Sequence, residues 1–161
     1  PGHASNHLCY LHECERMLFT GDHVMQGSTV VINPPDGDMA AYMQSLASLA
    51  DTAGSSFDAL APGHGFLVVQ PERLLRALIS HRRAREAKVV HELSAVPSAS
   101  LGELVSKVYD DVPADRHGIA SRSLLAHLLH LQVQGKAREG DGRWSIGRLD
   151  VGRVDHRDCT A

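Results

Sequence analysis

The sequence predicts a mixed α/β unit followed by a small winged-helix unit. Three observations predict it. Short apolar or β-branched runs alternate with stretches of helical periodicity from residue 1 to 96. Pro97-Ser98-Ala99-Ser100 then breaks the pattern. Beyond it the chain completes the order helix, helix, helix, hairpin, which is that of a winged helix. The expected divisions are 1–96, a winged-helix-like unit over 97–148, and a polar tail over 149–161.

Leu8 to Leu11 and Arg16 to Thr20 read as strands, with His12-Glu13-Cys14-Glu15 as the turn between them and Gly21-Asp22-His23 as the stop. Val30-Val31-Ile32 reads as another strand, ended by Pro34-Pro35. Asp38 is placed to cap a helix in which Met39, Tyr42, Met43, Leu46 and Leu49 recur at helical spacing, to a stop near Gly54. Ala59-Leu60-Ala61 is a short buried strand running into Pro62-Gly63-His64-Gly65. Pro71-Glu72 opens a helix to about Leu93 whose middle is basic, with Arg76, His81, Arg82, Arg83, Arg85 and Lys88.

In the last third, Ser100 and Glu103 form a capping-box pattern before a helix to about Tyr109. Asp110 to Asp115 is a loop. Residues 116 to 134 form a helix expected to bury Ile119, Leu124, Leu125, Leu128, Leu129 and Val133, with Gly135 as its cap. Lys136 to Ile146 reads as a hairpin turning at Gly140-Asp141-Gly142, with Trp144 as the aromatic anchor of the unit.

Composition narrows the function classes. With 43% hydrophobic and 22% charged residues in 161, the chain can bury a core. A net charge of -3 argues against bulk attraction to nucleic acid, and no apolar run approaches membrane-spanning length. Three cysteines without a CxxC pair make a disulfide framework and a Cys-based zinc site poor expectations, and Cys9 reads as core filling. A reducing, cytoplasmic location fits. The opening Pro1-Gly2-His3, with no initiator Met, reads as a fragment or a processed product.

Three loops at strand ends carry potential metal ligands: Pro1-Gly2-His3-Ala4-Ser5-Asn6-His7, Thr20-Gly21-Asp22-His23 and Ala61-Pro62-Gly63-His64-Gly65. A glycine beside each ligand lets the backbone turn tightly and aim the side chain into a shared cleft. Imidazole and carboxylate suit zinc, and a carboxylate can bridge two metals.

In their order, PGHASNH, TGDH and PGHG resemble the third, fourth and fifth metal motifs of the metallo-β-lactamase superfamily. GSTVVINPPDGDMAAYMQSL and HRRARE are similar to the β-lactamase-like branch that carries a C-terminal winged helix. The resemblance covers residues 1 to 146 and implies the C-terminal half of an αββα sandwich. It implies that His3 completes a first zinc site, Asp22 bridges two zincs and takes part in catalysis, and His64 binds the second. It further implies a metal-bridging hydroxide that attacks an ester, thioester or lactone, with an endoribonuclease on the same metals as the alternative.

The family's HxHxDH motif does not occur in this sequence. The expected partner is therefore a missing N-terminal half that carries it, besides a small-molecule substrate and no membrane. Without that half, an uncovered apolar sheet face, weak metal binding and no turnover are expected.

His7 is a candidate for supporting the ligands or facing substrate, against simple packing at a strand start. His23, beside Asp22, is expected to pack inward. Arg116, Arg122, Lys136, Arg138 and Arg143 are candidates for phosphate contact, as they would be in a non-catalytic winged-helix module binding nucleic acid. Asp110, Asp111, Asp115, Glu139 and Asp141 dilute that field, and the competing role is a packing module at the rim of the active site.

Overall fold

The computed structural model describes residues 1–147; the predicted polar tail over 149–161, residue 148 and Cys159 lie outside them. The first sheet is built from β1 (Tyr10–His12), β2 (Met17–Gly21) and β3 (Ala59–Pro62) in the order β1-β2-β3. β1 and β2 are antiparallel, and β2 and β3 run parallel. Arg16, at φ 48° in the turn before β2, sends its guanidinium to Asp58 at 2.7 Å and to the carbonyls of Gly54 and Ser55. That clamp fixes where β3 begins.

Two helices cover one side of this sheet. In α1 (Met39–Thr52), Asp38 caps the first turn by accepting from the Ala41 N–H, and Met39, Tyr42, Leu46 and Ala50 are buried. α2 (Pro71–Ser94) starts on a proline, whose missing N–H costs nothing at a helix start. The other side shows Leu8 at 66%, Tyr10 at 67% and Phe19 at 46% exposure, with Tyr10 and Phe19 paired across β1 and β2. Apolar area of this kind is stabilised by a cover.

The second unit contains β4 (Ala99–Ser100), α3 (Leu101–Val108), a single 3-10 turn at Ala114–Arg116, α4 (His117–Val133), β5 (Ala137–Gly140) and β6 (Arg143–Ile146). Its sheet order is β4-β6-β5. The capping box forms in full, Ser100 accepting from the Glu103 N–H and Glu103 from the Ser100 N–H. Asp141 and Gly142, both at positive φ, make the two-residue hairpin turn. Trp144 is 5% exposed in a cluster with Leu93, Leu104, Val108, Leu124 and Leu128, as the winged-helix expectation requires.

Three expectations are corrected. Val30 to Ile32 is largely buried but joins no ladder, because side chains take its backbone groups. Val30 O accepts from Arg82, Val31 O pairs with His3, and the Ile32 N–H donates to Ser123 Oγ. The segment before α3 is more than a break, since Ala99 and Ser100 pair with β6. In α4, Ile119, Leu129 and Val133 are exposed at 53%, 37% and 88%, whereas Ser123, Ala126 and His127 are buried beside Leu124, Leu128 and Leu131. That helix faces two neighbours, so its buried arc is rotated from the purely apolar stripe.

Two residues of the basic middle of α2 turn inward. Arg82 is 3% and Arg85 8% exposed. Arg85 makes a two-pronged pair with Asp111 at 2.7 and 2.8 Å, and its guanidinium stacks over the Tyr109 ring at 4.3 Å. Lys88 pairs with Asp110. Together they staple α2 to the turn after α3.

The hydrogen bonds from Arg85 pull the Asp111 carboxyl down to about 2. Its folded value lies below its unfolded value of about 3.9, so the pair stabilises fully above that pH and the contribution is lost as pH falls toward 2. Asp111→Asn is therefore expected to unfold at lower urea than wild type near neutral pH, with the gap closing between about pH 4 and 2. Urea melts of both proteins across that range check it; a gap constant with pH would detach the stabilisation from the Asp111 charge.

No helix of the described residues is long and apolar enough to cross a membrane.

Candidate metal centre

Three strand-end loops meet at one end of the first sheet. The 1–7 loop is strapped to the segment before α1. The Asp38 N–H donates to Gly2 O, and Ser5 donates to Asp36 through its backbone N–H at 3.2 Å and its hydroxyl at 2.5 Å. Gly2 sits at φ 126°, and a Cβ there would overlap the Tyr42 backbone, so only glycine lets the loop lie on α1.

His3 Nδ1 lies 2.9 Å from Val31 O. A carbonyl only accepts, so Nδ1 carries the proton and Nε2 keeps its lone pair for a metal.

The second and third loops are locked together by the parallel pairing of β2 and β3. The ladder shifts register at its end, where Gly21 pairs with Pro62, and the Gly63 N–H donates to Gly21 O at 2.8 Å. This brings Asp22 Oδ1 to 3.5 Å from His64 Nε2, the Asp22 side chain about half exposed and that of His64 67% exposed. A Cβ on Gly63 would stand 2.7 Å from Asp22 Oδ1, so the glycine makes room for the carboxylate.

His7 lies between these ligands and the interior. Its ring is 6.0 Å from that of His3 and 5.7 Å from that of His23, and a Cβ on Gly21 would approach its Nε2 to 3.0 Å. Burial, then the neighbouring His3, push its pKa down. His23 points inward, 1% exposed, and packs edge-on against Tyr42 at 5.0 Å. Burial takes it down to about 4.

Among the candidate ligands, then, the structure joins Asp22 and His64 directly and sets His3 beside His7. Among the described residues no group of three or more His, Cys, Asp or Glu side chains gathers to hold a metal ion. The Asp22–His64 pair nevertheless fits one. At bond lengths of about 2.0–2.1 Å, two ligand atoms on a tetrahedral zinc stand roughly 3.3 Å apart.

A cavity of about 480 Å³ opens beside His7 and His23, lined also by Leu8, Cys9, Ser45 and Leu49. The sequence offered no sign of it, because α1 supplies one wall from residues far along the chain.

The candidate phosphate contacts are scattered. Arg116 and Arg122 are exposed on the 3-10 turn and α4, and Lys136 and Arg138 are exposed at β5. Arg143 is engaged internally, with Glu103 at 3.0 Å and with Ser98. Sequence reasoning did not single out Arg82 and Arg85 as buried. The signal was present, since they continue the Leu75, Leu78 spacing toward Val89.

Comparison with known proteins matches residues 1–64 to the Metallo-beta-lactamase superfamily and residues 100–144 to the Beta-lactamase associated winged helix domain. The Beta-lactamase-like protein 2 homolog of Drosophila melanogaster is 29% identical over 86% of this chain and 45% of its own length. The Atrochrysone carboxyl ACP thioesterase of Aspergillus fumigatus is 28% identical over 71% of this chain and 38% of its own. A metallo-beta-lactamase family protein of Thermus thermophilus superposes with a TM-score of 0.78 at 22% identity, over 91% of this chain and 47% of its own. The chain thus spans less than half the length of these relatives.

Proposed function

Because the chain belongs to the metallo-β-lactamase superfamily and carries the winged helix associated with it, we propose that it forms part of a zinc-dependent hydrolase acting on a thioester, ester or lactone. The observation that carries this reading is the Asp22–His64 pair, two unlike metal donors held 3.5 Å apart by backbone pairing at the ends of adjacent strands. His3, with Nε2 free, is the third donor. The remaining ligands come from an HxHxDH segment outside residues 1–161.

When bound, zinc supplies Lewis acidity and a nucleophile available near neutral pH. The chain's own residues do the positioning. Val31 O fixes the His3 tautomer, the register shift at Gly21 aims Asp22, and Gly63 clears its path. Neutral His7 and the adjoining cavity form a weakly polar wall suited to the acyl part of a substrate. A thioester is favoured among the substrates because three relatives are thioesterases by name. The winged helix serves as a packing module, consistent with the internal pairing of Arg143 and the acidic residues interleaved with its cations.

Zinc analysis and hydrolysis of acyl-thioester, ester and lactone panels test this on the full-length protein. About two zincs per chain are expected, with turnover lost to a chelator and restored by zinc. His64→Ala is expected to lose metal and turnover together. Hydrolysis that survives chelation, or a His64→Ala protein with full zinc and full activity, would refute the proposal.

A further inference from the structure

A second polar centre lies outside the metal motifs. Where α1, α2, α4 and the approach to β5 meet, a cavity of about 260 Å³ is lined by Arg82, Arg83, Glu86, His127, His130 and Lys136.

Two of its acceptor atoms are engaged. His130 Nδ1 donates to Glu86 Oε2 at 2.8 Å, and Gln134 Nε2 donates to His130 Nε2 at 2.8 Å. Beside them stand several donors. Arg82, 3% exposed, gives one terminal nitrogen to Val30 O, while its Nε–H has no partner. His127 is fully buried, neither ring nitrogen has a partner, and Glu86 Oε2 lies too far from Nδ1, at 3.7 Å, for a hydrogen bond. Burial pushes the His127 pKa down, opposed by the neighbouring Glu86 carboxylate. Arg83 and Lys136 are exposed at the cavity and form no ion pair among the described residues.

The buried Arg82 and His127 and the exposed Arg83 and Lys136 together line one void. Three cations face a single carboxylate that His130 already occupies. A metal ion would be repelled, whereas an oxyanion is matched by the three cations.

We infer that this cavity binds a phosphate group, either inorganic phosphate or the terminal phosphate of a small molecule. Its walls come from both units, α1 and α2 on one side and α4 with Lys136 on the other. An occupant would therefore tie the winged helix to the metal-bearing unit. The inference does not depend on the hydrolase reading.

Calorimetric titration of the full-length protein with inorganic phosphate and with a 5′-mononucleotide tests it. His64→Ala serves as a parallel background that separates binding at the metal centre. The double variant Arg83→Ala/Lys136→Ala, both at exposed sites, is expected to weaken phosphate binding about tenfold or more, for the loss of two charge-assisted contacts. Arg73→Ala, an exposed cation elsewhere on α2, is expected to leave it unchanged. Binding of both ligands, weakened by the double variant, supports a site for the phosphate group whatever its carrier. Binding of inorganic phosphate alone, weakened in the same way, supports a site for the free ion. Binding of neither, binding that survives the double substitution, or binding lost only with His64→Ala would overturn the inference.

Discussion

Asp22→Asn is expected to lower hydrolytic turnover of the full-length protein about a thousandfold, while its melting temperature stays near that of wild type. The size follows from the role proposed for Asp22. As a metal donor, Asp22 would hold negative charge beside the reacting centre, and losing several kcal/mol of transition-state stabilisation costs about three powers of ten in rate. The small effect on stability follows from its surroundings. Asp22 is about half exposed, and its closest recorded polar contact is His64 at 3.5 Å. Asparagine keeps the shape, so Gly63 still has room beside it. Kinetics on an acyl thioester, zinc content and a thermal melt on the same sample check this. Turnover within about tenfold of wild type would remove Asp22 from the chemistry; a large drop in melting temperature would make it a structural residue.

Trp144→Ala is expected to unravel the winged helix rather than merely loosen it. Trp144 is 5% exposed at the centre of its unit, on β6, which alone pairs with both β4 and β5. Removing such a ring costs about 3–5 kcal/mol. A unit this small has little stability to spare, since few residues share its core. Amide hydrogen exchange should show protection lost across α3, α4 and the hairpin, while α1 keeps most of its own. Trp144→Phe should fall between the two. Unchanged protection in the alanine variant would show that the aliphatic residues of the cluster suffice without the ring.

What was legible in the sequence is what short-range chemistry decides. Asp38, the Ser100 and Glu103 pair, and Asp141-Gly142 each act within three or four residues, and each forms the cap or turn its pattern announces. The order of the three metal motifs was equally readable, because each sits at a strand end marked by glycine. Burial of Val30 and Ile32 was readable too, but their pairing was not. Their backbone partners, Arg82 and Ser123, lie 52 and 91 positions away. The buried arc of α4 escaped for the same reason: Ser123 Oγ turns inward to accept from the Ile32 N–H and His127 is buried near Glu86 of α2, which no periodicity of α4 itself records. In the candidate metal centre the pattern offered His3, Asp22 and His64 as donors, whereas the placing of His7 beside both His3 and His23 depends on how the first loop lies on α1.

The long helix α2 gives Leu75, Leu78 and Ile79 to one buried cluster and Val89 and Leu93 to the other. The chain turns at Pro97, but packing does not divide there. A graft of the winged helix cut at Pro97 would arrive without the two residues its core closes on, and would leave an apolar half-helix bare on the donor. The smallest cassette that could be moved between relatives, by recombination or by design, has to carry the second half of α2 with it. Arg85 and Lys88 on that half, and Asp111 and Asp110 across from them, would travel as matched sets.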